Sequence, residues 1–300
     1  MKCKALTVFA TICLLSNSAL AQDDAALNAP AQVPGVQVFR AQATPANPAT
    51  RLPLWEAGLF GIAVTQPAYP GSEEHVSRAL GLPYLIYRGK YLRAERGGVG
   101  LRALKTPRIE VDVGFAASLG SHSSDIAVRQ GMADLGTMIE FGPRLKIKLG
   151  DIANGRSQSR LQFPLREVID ISNGFVSRGI AFEPEWVIDT RLPRHWFVST
   201  SLGAIFGDTK LGDTYYGVAP GEATATRNSY TASSGLIALR AGLLAAHTLT
   251  PDLRLFYIFR IESLAGAANR DSPLVRRNVG WGAGIGISWA LARSEQSTDE

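Results

Sequence analysis

Cysteine is all but missing from this chain of 300 residues, where only Cys3 and Cys13 occur. A fold stapled by disulfides is excluded, so stability has to come from a core, a metal or a membrane. Long apolar runs are equally scarce. The first, Ala5 to Leu15, is shorter than the roughly 17–25 residues a spanning helix needs, and Arg240 interrupts the next candidate, Leu236 to Ala246. Any membrane crossing is expected to be made by strands. Charge of one sign is weak too: the formal net charge is +5, too little to argue for a nucleic-acid partner.

The amino terminus sets the compartment. Lys2 and Lys4 precede the apolar stretch, and Ser18, Ala19, Leu20 and Ala21 supply small residues for cleavage, so residues 1–21 read as a signal peptide and Gln22 as the mature start. Cleavage would take both cysteines, two lysines and no acids, lowering the charge to +3. Residues 22–54 are rich in Ala, Pro and Gln, with one apolar patch at Val36 to Phe39, and read as a flexible periplasmic lead-in.

From Trp55 onward the main signal is alternation with period two, the mark of strands with one face in an apolar medium and the other in a polar one. Ile139, Phe141, Leu145, Ile147 and Leu149 share one face, against Glu140, Gly142, Arg144, Lys146 and Lys148. Twelve such runs are expected, at about 55–65, 78–88, 90–96, 98–105, 108–118, 137–149, 157–168, 174–188, 195–206, 235–248, 252–264 and 279–291. Several reach the 9–11 residues or so of a tilted transmembrane strand, against 5–6 for ordinary strands. The expected fold is all-β: an antiparallel up-and-down transmembrane barrel of about twelve strands over residues 55–291, followed by a polar tail, residues 292–300.

Connection lengths orient it. The long gaps 66–77, 119–136, 207–234 and 265–278 all follow odd strands, whereas short turns follow even ones. Bacterial barrels keep long loops outside and short turns in the periplasm, which also puts both termini there. Trp55, Trp186, Trp196 and Trp289 fall toward periplasmic strand ends as a candidate aromatic girdle, and Trp281 falls at the outer end. In the last run Gly286, Trp289 and Leu291 have the spacing of a terminal-strand signal for the barrel assembly machinery, although the polar tail departs from the usual aromatic ending.

The polar face supplies the candidate lumen wall: Glu110, Asp112, Glu140, Arg144, Lys146, Lys148, Arg160, Arg166, Glu183 and Glu185. Glu110 with Asp112, and Glu183 with Glu185, resemble acid–base carboxylate pairs, but their spacing of two puts each pair on one strand face, where a charged barrel interior accounts for them. His75 and His122 fall in outer loops, His195 and His247 near inner turns, and no serine motif or paired-acid constellation accompanies them. His75 with Glu73 and Glu74 makes half of a metal site at most. No catalytic residue, cofactor or metal is expected.

Several stretches carry a family resemblance: YPGS at Tyr69 to Ser72, LPYLIYRGKYLRAERGG at Leu82 to Gly98, RQGMADL at Arg129 to Leu135, EFGPRLKIKL at Glu140 to Leu149, YYGV at Tyr215 to Val218 and ESLAGAANRDSPLV at Glu262 to Val275. Together they resemble the MltA-interacting protein (MipA/OmpV) family. The resemblance implies an outer-membrane scaffold joining a membrane-bound lytic transglycosylase to a bifunctional peptidoglycan synthase, and other members are porin-like or adhesive. It names no site residue that can be carried onto this chain. Three functions are thus in view: a non-enzymatic scaffold whose basic inner turns Arg88 to Arg93 and Arg191 to His195 meet partners, a narrow channel for small solutes, and adhesion through the 207–234 loop. Outer-membrane lipids and lipopolysaccharide are expected surroundings of such a barrel.

Overall fold

The computed structural model describes residues 53–88, 92–95, 98–118, 120–153 and 155–296. The expected signal peptide and most of the lead-in lie outside the described residues, as do the last four residues of the tail. Thirteen strand segments follow one another: β1 (Trp55–Pro67), β2 (His75–Arg88), β3 (Leu92–Glu95), β4 (Gly98–Lys105), β5 (Ile109–Ser118), β6 (Met138–Ile152), β7 (Ser157–Asp170), β8 (Val176–Phe182), β9 (Glu185–Leu192), β10 (Trp196–Gly207), β11 (Gly235–Thr248), β12 (Leu253–Ser263) and β13 (Val279–Arg293). All the pairings are antiparallel, and β1 pairs with β13, so the sheet closes on itself.

The thirteen segments make twelve staves. Leu165 faces Phe182 and Gln162 faces Glu185, so β8 and β9 continue one another opposite β7 in a single register. The gap between them holds Pro184, which has no N–H to give to the ladder, although its carbonyl still accepts from Ala204 N at 3.0 Å. The run expected at 174–188 is therefore one stave, interrupted by chemistry and not by a change of direction.

Alternation fixes the two faces. Outward stand large apolar side chains such as Leu59, Leu85, Phe141, Leu202, Phe259 and Ile285, with Leu85 as much as 64% exposed. Inward, Arg166 and Glu262 are each only 5% exposed. A soluble domain has the opposite arrangement, and a barrel set in lipid has this one.

The even residues of β12 record how the interior is layered. Phe256 and Ile258 join Phe197, Leu244 and Ala246 in an apolar cluster against Phe60 and Ile62. Arg260 and Glu262 follow as a charged layer, and Leu264, just past the strand, enters a second apolar core. That second core is built from the long connections. Tyr69, Ile126, Leu135, Leu211, Tyr216, Val218, Ala232 and Leu274 come from four different loops and pack over one mouth of the barrel. Within the longest loop the helix α1 (Thr209–Tyr216) starts where the Asp208 side chain accepts from Leu211 N at 2.9 Å, an N-cap.

Candidate functional site: the charged layer and its roof

A belt of ion pairs runs along the lumen wall. Arg166 on β7 donates from Nε to Glu140 Oε2 at 2.8 Å and from Nη2 to Glu183 Oε2 at 2.5 Å. Glu183 also stands 3.9 Å from Arg240 Nη1, and Arg240 donates to Glu262 from Nη2 at 2.8 Å. Arg260 Nε lies 3.5 Å from the same carboxylate, and its Nη2 donates to Gln66 at 2.7 Å. Three arginines face three glutamates, so the belt is neutral as a whole. Breaking one member would strand a buried charge.

Glycine makes the belt possible. Gly203 on β10 lies directly between Glu185 and Arg240 in the two ladders, and Gly282 on β13 lies opposite Arg260. A Cβ added at Gly282 would stand 3.2 Å from Gln66 Cβ and 3.5 Å from Arg260 Nε. A bare backbone at these strands lets the long side chains lie flat across them to a partner two staves away.

A second charged cluster lines the neighbouring wall. Arg144 Nε donates to Asp112 Oδ1 at 2.6 Å, with a second contact from Nη2 to Oδ2. Lys146 Nζ donates to Glu110 and Asp112, each at 2.9 Å, and Arg160 pairs with Asp189. Glu185 stands among the half-buried residues of the same stave. Lys148, expected on the same wall, stands opposite Arg160 in the β6–β7 ladder and is itself exposed.

Alternation would have placed Arg240, Arg260 and Glu262 inward as well, since Leu239, Phe259 and Ile261 beside them are exposed. They, with Gln66 in the belt and Asp189 in the second cluster, are the inward residues not among those expected from the sequence. Arg240 was legible only as the charge that breaks an apolar run.

Above the belt lies a cavity of about 70 Å³. Gln66, Glu140, Arg240, Arg260 and Glu262 form its floor, and Tyr69, Leu135, Met138 and Tyr215 its roof. The roof is tied across long sequence distances. Tyr69 Oη donates to the Leu274 carbonyl at 2.6 Å, and Ser272 Oγ to that of Tyr216 at 2.7 Å. The Arg129 guanidinium sits 5.7 Å from the centre of the Tyr69 ring, within cation–π range. Burial pushes the Tyr69 and Tyr216 phenols well above their ordinary pKa and draws that of Arg129 down. Most of the family-resembling stretches therefore converge here: YPGS, RQGMADL, YYGV and ESLAGAANRDSPLV all contribute to the roof.

The histidines serve other ends. His122 Nδ1 donates to Asp134 Oδ2 at 2.8 Å, and Ser123 N donates to Asp134 Oδ1 at 2.6 Å. His75 packs on Trp281 with ring centres 4.9 Å apart, and His247 stacks on Trp196 at 4.3 Å. His195 occupies the inner turn with a φ of 61°. Among the described residues no three His, Cys, Asp or Glu side chains gather as metal ligands would.

Trp55, Trp196 and Trp289 stand at or near one end of their strands, on the outward face, and Trp281 stands near the other. Trp186 lies deeper, six residues from the end of β9, and donates from Nε1 to Ser159 at 2.7 Å. Trp289 and Leu291 point outward, while Gly286 packs inward 3.2 Å from the Gly61 carbonyl as judged at its missing Cβ.

Solved structures with a related course include the NanC porin, at 11% identity and a TM-score of 0.39 over 78% of this chain and 100% of that one. Others are the translocator domain of autotransporter NalP from Neisseria meningitidis, at 10% and 0.37 over 79% and 88%, and OmpT of Vibrio cholerae, at 6% and 0.35 over 81% and 99%. Comparison with curated proteins gives no match. A family model described as MltA-interacting protein MipA matches residues 59–291. That match runs from the first strand of the closed ring to the last, and the chain belongs to the MltA-interacting protein MipA family, as a β-barrel of the outer membrane.

Proposed function

We propose that this barrel is a closed, non-enzymatic scaffold that holds a lytic transglycosylase, and with it peptidoglycan synthesis, at the outer membrane. The carrying observation is the roof: four loops pack together over one mouth of a lumen whose wall carries a neutral belt of ion pairs. A pore needs no such roof. The family's name supports the partner, since it describes a protein that interacts with MltA. On the periplasmic side Arg191 and Arg194 are exposed in the inner turn and offer a basic contact. Arg88 to Arg93, the other basic turn, lies almost wholly outside the described side chains.

Immobilised full-chain protein is expected to retain a membrane-bound lytic transglycosylase from detergent extract, and to lose it when residues 22–53 are deleted or Arg191 and Arg194 are reversed to Glu. Retention unchanged by both alterations would remove the scaffold reading. The second reading, a narrow channel, is favoured by the charged lumen wall and the cavity above the belt. Planar-bilayer recording separates the two: the scaffold is expected to give no conductance steps, whereas a channel gives steps whose selectivity changes in Arg144→Glu. The 207–234 loop, the candidate adhesive element, contributes Tyr216, Val218 and Ala232 to the roof's core, which leaves its middle, near residues 219–231, as the part a surface partner could reach.

A further inference from the structure

Outside the barrel, where β13, β1 and β2 meet at the outer end, charge and shape combine in a way the lumen does not explain. Arg276 and Arg277 are exposed, and the backbone N–H groups of both donate to the single carbonyl of Gly71, at 2.8 and 3.0 Å, which fixes the pair in place. Glu73 stands 3.9 Å from Arg276 and is itself half exposed. Immediately below, Trp281 presents its indole outward at 47% exposure, with the His75 ring packed on it.

The height of this cluster follows from the strand. Trp289 and Trp281 are eight residues apart on β13, roughly 26 Å along it at about 3.3 Å per residue. With a tilt of about 35–45° that is near 20 Å of depth, close to the apolar band of about 25 Å in such barrels. Trp281 therefore marks the outer interface, and the two arginines stand level with the headgroups of the outer leaflet.

Below the cluster the lipid-facing surface is hollow. Directly paired residues Ala63 with Ala79 and Gly61 with Gly81 present almost no side chain. Ile285 and Ile287 of β13 stand beside them as a wall, and Leu59 with Pro83 closes the lower end. A Cβ at Gly81 would meet nothing within 4 Å.

We propose that this surface binds one molecule of an acylated, phosphorylated glycolipid of the outer leaflet. Arg276 and Arg277 take its phosphates, the Trp281–His75 pair meets its sugar, and an acyl chain lies in the hollow. A bare apolar face would accept any lipid. Two fixed cations directly above it select an anionic one, at about fivefold in affinity per basic residue near the surface.

The test uses the full-chain protein in detergent and native mass spectrometry, titrated with bisphosphoryl lipid A and with the same lipid stripped of both phosphates. Expected is a one-to-one adduct with the first and at least tenfold weaker binding of the second. Arg276→Glu with Arg277→Glu is expected to lose roughly 30-fold or more, and Lys210→Glu, an exposed cation on α1, to lose nothing. Gly81→Phe changes no charge, starts from a Cβ that meets nothing within 4 Å, and is expected to weaken binding about tenfold. Equal binding of both lipids, or undiminished binding by either altered protein, overturns the proposal. Heat-dependent gel mobility confirms that each variant is a folded barrel before it is read. The site does not depend on the scaffold reading, which a pull-down tests separately.

Discussion

The Tyr69 hydroxyl and the Leu274 carbonyl, 205 residues apart in sequence, share a buried hydrogen bond of 2.6 Å that ties the first outer loop to the last. Tyr69→Phe keeps the ring and the Arg129 contact but leaves the carbonyl without this donor, at a cost of about 1–3 kcal/mol. The expected outcome is earlier protease cleavage in the outer loops with the barrel's heat-dependent mobility unchanged. Unchanged cleavage kinetics would show that the bond does not hold the roof.

Arg166 compensates two glutamates at once. Arg166→Met is expected to destabilise the barrel by about 3–5 kcal/mol, because the buried Glu140 loses its guanidinium partner and Glu183 loses the nearer of its two arginines. Adding Glu140→Gln and Glu183→Gln is expected to restore most of the loss. Urea titration of protein refolded into lipid vesicles measures both, and a triple variant no better than the single one would contradict the belt's role.

Acid should loosen one outer loop before the strands. His122 donates to the Asp134 carboxylate and Ser123 N donates to it as well, and these bonds hold its pKa below the ordinary aspartate value. A carboxyl with a depressed folded pKa adds stability that is fully present above the unfolded value, near 4, and is lost as the pH falls through the folded one. Limited proteolysis of the segment 120–137 is therefore expected to speed up below about pH 4, and Asp134→Asn to abolish that dependence. A variant with the same acid profile would place the effect elsewhere.

Two glycines on lipid-embedded strands should respond differently. Gly282→Val puts carbon against Gln66 and Arg260 and is expected to cost about 1–3 kcal/mol. Gly81→Ala meets open space on the other face and is expected to be close to neutral. Vesicle refolding yield compares them, and equal yields would mean that the belt does not need its bare backbone.

The staves were readable from period-two alternation because a barrel wall leaves each residue only two directions to face. The ladder gap at Pro184 was not, since a two-residue interruption keeps the alternation intact on either side. Asp112 and Arg144 could be assigned a common face from their strands alone. Their contact, like that of Arg166 with Glu183, depends on register, which alternation does not contain. Arg240 carries two signals at once, since the charge that breaks an apolar helix is also an inward position of a strand between the exposed Leu239 and the next outward residue. The roof was the least legible part. Its core joins Tyr69, Ile126, Leu211 and Leu274 from four loops, and such loops carry no period to read.

The chain enters the barrel at its closing seam, where Leu54 N bonds to Gln296 O and Ser294 N to Trp55 O. A pull on the preceding residues from the periplasm would meet β1 at its tilt of about 35–45°, so most of the load falls along a strand that is laddered to β2 on one side and to β13 on the other. Such a load shears both ladders together over their whole length, where a sideways load would peel them pair by pair. The position of the first strand thus makes the barrel a mechanical anchor, strongest against tension directed toward the cell wall.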